Sequence, residues 1–382
     1  MKKIIPIILL FCYNSTNAQN GVEYVTEEVK LQSKTLDEER VLTIYRPANL
    51  DSNSPITTIY LLDGEWNFNY TKGLIDLLIR WERIPNVALV SIKNVNRTRD
   101  FTPSEDEARF PGSGGAEQFL SFMQSELIPH IEETHFKSSN RLIIGHSFGG
   151  LFALFVLFEE ADLFNGYVAI SPSTWWKDKF LFNPEYQNAQ IKNHPMVYIS
   201  TGEFDRGNVA SNLEYYEWLK SNNLDDQMTL IYDSNRGESH FSNVSISIHK
   251  GLSHYFPGPE LKTMIADTYA DEGLASLKPW YTELEKSMNG RLIPPTESIL
   301  EIAAELYRNK KNKDALSLLQ WFENIVPDNG NVHYYIGAIA SDEGQKDLAM
   351  THYNKALLLN MPERMKIIIR KNIEKLKTDS ND

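Results

Sequence analysis

Cysteine is almost missing from this chain. The single thiol among 382 residues is Cys12, so no disulfide framework and no cysteine-built metal site can underlie the fold. Long apolar runs are missing too. The stretch Ile4–Cys12 is too short to span a bilayer, and no later run approaches that length. Positive charge is in deficit, with 38 Lys and Arg against 51 Asp and Glu and a formal net charge of −13. That balance argues against nucleic acid or an anionic membrane surface as the main partner. Strand-like runs disappear after Pro257-Gly258-Pro259, which excludes a single fold class for the whole chain.

What is present points to a large globular protein. Hydrophobic residues make up 42% and aromatics 11%, enough for a sizeable core, and the length suggests one large domain with a smaller one. At the start, Lys2 and Lys3 precede the apolar stretch Ile4–Cys12, and Thr16-Asn17-Ala18 ends on a small residue. This pattern predicts a secretory signal peptide over residues 1–18, cut near Ala18, and hence an exported protein, periplasmic or secreted. Bulky Phe11 speaks against a lipoprotein reading of Cys12. Cleavage would remove Lys2, Lys3 and Cys12, leaving 36 basic and 51 acidic residues, a net charge of about −15.

From residue 22 to 256, β-prone runs alternate with helical spacing. Gly21–Pro47 reads as a hairpin region. Ile56–Leu62, Val87–Ile92, Gly166–Ile170, Met196–Ser200 and Met228–Tyr232 read as strands, with a further strand before Gly145. Helical spacing covers Leu74–Trp81, Ala116–Glu133, the segment after Ser147, Asn208–Asn222 and Val244–Tyr255. This alternation predicts an α/β fold, a mostly parallel sheet flanked by helices. Asn94–Gly115 is left as a long polar connection, and loops of that length in compact domains are usually functional or mobile.

The segment 260–378 reads as helix after helix. Residues 296–329 and 330–363 align as two 34-residue units, with Ala303 matching Gly337, Ala315 matching Ala349, and Phe322 matching Ala356. Small residues at helix crossings with this period predict tetratricopeptide-like repeats, followed by a capping helix over Lys366–Lys377.

The chemistry centres on Gly145-His146-Ser147-Phe148-Gly149-Gly150. Gly145, Ser147 and Gly149 fit G-x-S-x-G between a strand and a helix, the context of a nucleophile elbow. A serine hydroxyl needs a base, and the base needs an orienting acid, in the chain order serine, acid, histidine. Of the nine histidines, His240 alone follows the last strand and precedes a helix, so it is the expected base. His146 lies within the elbow, facing away from the hydroxyl. The acid is expected in Gly202-Glu203-Phe204-Asp205, with Asp205 first and Glu203 as the alternative. The oxyanion donors are expected to be the backbone N–H groups of Phe148 and Glu65.

These stretches, YLLDGEWNF (60–68), NRTRDFTP (96–103), GHSFGG (145–150), ISPSTWW (170–176), GEFD (202–205) and GESHF (237–241), resemble the Putative esterase family of α/β-hydrolases. That family includes esterase D, siderophore esterases, feruloyl esterases and mycolyltransferases. The D-G-E and N-R-T-R-D-F-T-P stretches are most similar to the branch containing trilactone siderophore esterases. The resemblance covers residues 22–256 and implies an α/β-hydrolase domain with Ser147 as nucleophile, His240 as base, and the Glu65 and Phe148 amides as oxyanion hole. The acid is the least uniform member of that branch.

Arg97 and Arg99 have two readings: a grip on an anionic or phenolic part of the substrate, or a pair with Asp100 that fixes the loop. The adjacency of Asp100 favours the second. One of Trp175 and Trp176 is expected to wall the substrate pocket and the other to enter the core. No metal or organic cofactor is expected. The expected activity is an exported serine esterase acting on a small-molecule or glycan-linked ester. The alternatives within that class are a siderophore trilactone esterase, an acetyl or feruloyl carbohydrate esterase, and an acyltransferase. The rival is a scaffold that binds a protein partner through the helical repeats.

Overall fold

The computed structural model describes residues 22–50, 55–81, 83–256, 259–288, 295–359 and 361–378. The leader expected over residues 1–18 lies outside them, as does most of the turn expected over Asn49–Pro55. The described residues divide near residue 257 into two compact units.

The first unit is built on one eight-stranded sheet in the order β1-β2-β4-β3-β5-β6-β7-β8. β1 (Tyr24–Ser33) and β2 (Glu38–Pro47) form an antiparallel hairpin at one edge, and β2 also pairs antiparallel with β4 (Val87–Ile92). β3 (Ile56–Leu61), β4, β5 (Ser138–His146), β6 (Gly166–Ile170), β7 (Met196–Gly202) and β8 (Thr229–Asn235) run parallel. The sequence pattern explains the placement. In edge strand β1, exposed Thr26, Glu28, Lys30 and Gln32 alternate with half-buried neighbours, whereas β3, β4, β6 and β7 are buried at every position. Such continuous burial requires cover on both faces of a parallel sheet.

Both faces are covered. On one, helix Phe148–Glu159 brings Phe152 and Phe155 against Phe101, Phe119 and Phe122. This helix is buried from Gly149 to Leu157, as its apolar composition on all sides demands. On the other, helices Gly64–Arg80 and Asn243–Tyr255 contribute Leu74, Ile75, Leu78, Ile248 and Leu252. Each such buried side chain contributes about 1.5–3 kcal/mol relative to exposure, which fixes the register of the central strands.

The structure differs from the sequence pattern in three places. Helix Gly64–Arg80 begins ten residues before Leu74, because its first turns are exposed and carry no apolar stripe. The helix expected over Ala116–Glu133 contains a π-helical segment, Met123–Leu127, before its last part, Ile128–Thr134. Pro129 there lacks the N–H that a regular helix would donate to the carbonyl of Ser125. The connection 94–115 is an ordered strap. It holds a short helix, Arg97–Phe101, capped by the Asn96 side chain, and a bridge between Asp106 and Phe110. Its end is tied back by Gly115 N–H to Arg99 O at 2.9 Å and Ala116 N–H to Thr102 O at 3.1 Å.

The chain turns to opposite sides after β3 and after β5, the two strands at the centre of the sheet. β3 leads to β4 on one side, and β5 leads to β6 on the other. The carboxyl ends of these neighbours therefore form the crevice where open α/β sheets bind ligands.

The second unit is all helical among its described residues: Pro259–Glu272, Leu274–Met288, Thr296–Arg308, Asn312–Glu323, Gly330–Asp342, Lys346–Leu358 and Glu363–Thr378. From Thr296 on, each helix packs on the next. Helix starts recur with the 34-residue period, Thr296 with Gly330 and Asn312 with Lys346. Ala303, Ala315, Phe322, Ala340, Ala349 and Ala356 are buried in the common core. Gly337 lies so near Tyr353 that an added Cβ would stand 2.7 Å from the ring.

Candidate active site

Ser147 lies between the end of β5 and the first turn of helix Phe148–Glu159. Its backbone is strained, with φ 60° and ψ −114°, a conformation that persists only where surroundings enforce it. They do so through three hydrogen bonds: Ser147 N–H to Ile170 O at 2.9 Å, Leu151 N–H to Ser147 O at 2.9 Å, and Ser173 N–H to Ser147 O at 3.1 Å. Gly145 permits the turn. A Cβ there would lie 2.2 Å from Gly149 O, so strand and helix could not cross this closely with any other residue.

His240 follows β8, and Asp205 follows β7. Nδ1 of His240 is 2.9 Å from Oδ2 of Asp205, whose side chain is almost wholly buried. Burial alone would raise the Asp205 carboxyl. Hydrogen bonds from His240, Ser171 and Asn208 outweigh it and hold the group below the usual carboxylate value. A carboxylate in that position accepts a hydrogen bond from Nδ1–H and leaves Nε2 as the basic nitrogen. Ser147 Oγ lies 3.4 Å from Ser173 Oγ, which is its hydrogen-bond contact among the described residues. No hydrogen bond joins Ser147 Oγ to the His240 ring among the described residues, and contacts between such groups often tighten only with substrate bound. Glu203 lies apart from His240, accepting from Gly237 N–H at 2.8 Å.

Asn208 stands behind this pair. Its Nδ2 donates to Asp205 Oδ1 at 2.9 Å, and its Oδ1 accepts from Trp175 Nε1 at 2.7 Å. The indole N–H can only donate, so it fixes the amide with its NH2 toward Asp205. Trp175 is thus partly buried and tied to the acid, while Trp176 is the fully buried ring, donating to Ser104 Oγ at 3.0 Å. Both pack against Phe110 and Phe148 with tilted or edge-on rings.

His146 has a supporting place. Its Nε2 lies 2.9 Å from the backbone oxygen of His240. Burial, aided by the nearby His240 charge, pulls its pKa down to about 4, so the neutral ring donates there and positions the His240 loop.

Glu65 lies in the first turn of helix Gly64–Arg80, and Phe148 opens its own helix. Amides in a first helical turn have no intrahelical acceptor, and the helix dipole favours negative charge beside them. The two stand on the loops that end adjacent strands β3 and β5. The Glu65 carboxylate accepts from the Asn94 backbone N–H at 3.1 Å and from Asn94 Nδ2 at 2.8 Å, which turns the side chain away to the strap.

Arg97 corrects the sequence expectation. Its partner is Asp63, with Nε to Oδ1 at 2.6 Å and Nη2 to Oδ2 at 3.0 Å, rather than neighbouring Asp100. Asp100 is buried and binds Arg40 and Arg99, and Arg99 also reaches Glu38. Both arginines are thus engaged in ion pairs within the fold. Along with Asp63, sequence reasoning missed Asn208, Ser171 and Ser173. The signal for Asn208 was its place three residues beyond Asp205, just before a helix. Three exposed rings, Trp66, Phe204 and Phe241, also went unassigned, although they adjoin Glu65, Asp205 and His240 in the chain. Among the described residues, a His/Glu group close enough to share a cation lies in the helical unit, at Glu323, His333 and His352.

The chain is similar to known esterases. The chain is 28% identical over 189 residues to a siderophore triacetylfusarinine C esterase of Aspergillus fumigatus, covering 42% of this chain and 65% of that protein. It is 30% identical over 205 residues to the ferri-bacillibactin esterase BesA of Bacillus subtilis, covering 47% of this chain and 71% of that one. Each alignment thus spans only about two thirds of the relative's length. A crystal structure of an uncharacterised protein from Capnocytophaga ochracea shares the fold over 93% of this chain and 100% of its own, with a TM-score of 0.65 at 16% identity. The family model described as Putative esterase matches residues 33–241, and the chain belongs to that family.

Proposed function

We propose that this protein is an exported serine esterase that cleaves carboxylic esters of a siderophore-type small molecule through an acyl-enzyme on Ser147. The observation that carries the reading is the 2.9 Å contact of His240 with buried Asp205, on the sheet edge where Ser147 sits in its strained elbow. Ser147 Oγ attacks the ester carbonyl while His240 Nε2 takes its proton. The developing oxyanion is held by the N–H groups of Glu65 and Phe148, preorganised donors that act on the transition state. His240 then protonates the leaving alcohol. Water, activated by the same nitrogen, releases the acid from Ser147.

The siderophore-type substrate rests on the names of the two relatives and on the exposed rings of Trp66, Phe204 and Phe241 beside the catalytic residues, suited to aromatic groups of a ligand. An acetyl or feruloyl carbohydrate ester, or transfer of the acyl group to an alcohol, would use the same machinery. Export rests on the leader pattern of residues 1–18, and the tetratricopeptide-like period of the helical unit suits it to binding a protein partner.

The test is Ser147→Ala. It should abolish p-nitrophenyl acetate hydrolysis and fluorophosphonate labelling while circular dichroism stays that of the wild type. Undiminished turnover would end the assignment. A panel of trilactone, acetyl and feruloyl esters then separates the substrate classes.

A further inference from the structure

The helical unit carries a cluster that ester hydrolysis does not use. His333 and His352 project from successive helices, Gly330–Asp342 and Lys346–Leu358, and Glu323 ends the helix before them. His333 is completely buried and His352 nearly so. One 34-residue unit earlier the matching positions hold Ile299 and Leu318, both fully buried apolar residues. The second unit has thus replaced two core hydrocarbons with imidazoles, a costly exchange unless the nitrogens have partners.

Each of the three offers one ligand atom, and those atoms all lie within 4.8 Å of one another. His333 Nδ1 is 3.1 Å from His352 Nδ1 and 3.5 Å from Glu323 Oε1. Two donors each about 2.1 Å from a tetrahedral zinc ion stand about 3.4 Å apart. A second observation fixes which nitrogen is free. His333 Nε2 lies 2.7 Å from the carbonyl oxygen of Pro327, an acceptor only, so Nε2 carries the proton and Nδ1 presents its lone pair. A backbone carbonyl holding the far nitrogen is the usual support for a metal-binding histidine.

We propose that Glu323, His333 and His352 form a binding site for a divalent transition-metal ion of the zinc class. Two imidazoles and one carboxylate suit such an ion and not the oxygen-seeking calcium or magnesium. The ligands sit on three packed helices, which holds them in place. Without metal, His352 Nδ1–H donates to His333 Nδ1. On binding, the His352 proton moves to Nε2, 3.9 Å from Glu323 Oε2. Lys355, whose Nζ lies 3.2 Å from Glu323 Oε1, must swing away, and its exposed side chain is free to do so. Bound metal would clamp the junction between the two repeat units.

The full-length protein, stripped with chelator, is titrated with Co(II) and with Zn(II). Wild type should bind one ion more per chain than the double variant His333→Ile, His352→Leu, whose new residues copy the first unit and so preserve packing. Co(II) should give visible d–d bands of a nitrogen–oxygen site, and Zn(II) should raise the melting temperature of wild type only. Glu323→Gln should weaken binding by ~10–100-fold, at least the loss expected for an outer partner of a metal ligand. Esterase turnover should be the same in all three proteins, so this test stands apart from the assignment of Ser147. Equal binding by wild type and double variant, or no binding by either, overturns the site and leaves a buried hydrogen-bonded histidine pair.

Discussion

Arg97 grips Asp63 with two parallel hydrogen bonds while its Nη2 also donates to the backbone oxygen of His146 at 2.9 Å. One guanidinium thereby ties the loop after β3 to the nucleophile elbow after β5. The two candidate oxyanion amides, Glu65 and Phe148, each lie two residues beyond one of its anchors, Asp63 and His146. The spacing between those amides therefore depends on a residue that hydrogen-bonds to neither, although its guanidinium lies 5.6 Å from the Phe148 ring centre.

Arg97→Met should cost stability as well as turnover. Asp63 is fully buried, and removing one partner of a buried ion pair costs about 3–5 kcal/mol. Asn94 Nδ2 keeps one bond to Asp63 Oδ1 at 2.8 Å, so a value near the lower end, about 3 kcal/mol, is expected in urea unfolding. Arg97→Lys should recover part of the stability and little of kcat, because an ammonium cannot reproduce the two-pronged grip. Equal recovery of both would detach the elbow from this pair.

Asp205→Asn should lower kcat by about 10⁴-fold, the loss typical of an acid that fixes the tautomer of a catalytic imidazole. Glu203→Gln should leave kcat unchanged, since Glu203 serves the Gly237 amide. Steady-state kinetics on one p-nitrophenyl ester compares the two directly. The reverse order would move the acid to Glu203.

The parts of this site that were legible in the sequence are those whose chemistry is local. Gly145, Ser147 and Gly149 must stand at that spacing for the turn to form, and His240 follows from chain order. The Arg97 partner was not legible. Adjacent Asp100 looked the natural choice, but the short helix Arg97–Phe101 sends Asp100 into the core toward Arg40, and Arg97 toward a residue 34 positions away. Nor was the chain of Trp175, Asn208 and Asp205, which depends on how β6 and β7 lie side by side. In the fold, the fully buried strands were plain, whereas the start of helix Gly64–Arg80 was hidden because its rings, Trp66, Phe68 and Tyr70, recur every second residue and not with a helical period. The repeat period showed in the helical unit because small residues must recur where helices cross.

Trp175→Phe tests the amide behind the acid. Without the indole N–H, the Asn208 amide loses what fixes its orientation and can turn its oxygen toward Asp205. Hydrogen bonds to charged groups are worth about 1.5–3 kcal/mol, so kcat should fall by about 10–100-fold with the triad residues intact. Asn208→Ala should have an effect of similar size, and the double variant should be little worse than either alone. Additive losses would show that Trp175 acts through the substrate instead.

His146 makes stability depend on pH in a defined direction. Its folded pKa of about 4 lies below the ordinary 6.5 because burial disfavours the charged ring. Between those values the unfolded chain binds the extra proton, so the contribution is fully present above about pH 6.5 and is lost as the pH falls toward 4. The difference of 2.5 between 6.5 and 4 corresponds to roughly 3.5 kcal/mol at about 1.4 kcal/mol per unit. His135 and His352 are also held below 6.5 by burial and act in the same sense, so the diagnostic quantity is a difference between proteins. Urea unfolding between pH 7.5 and 5 should show a shallower loss for His146→Gln than for wild type. Glutamine keeps an N–H for the His240 carbonyl but cannot titrate. Identical slopes would mean that His146 titrates alike in the folded and unfolded chain, so that burial does not hold its ring neutral.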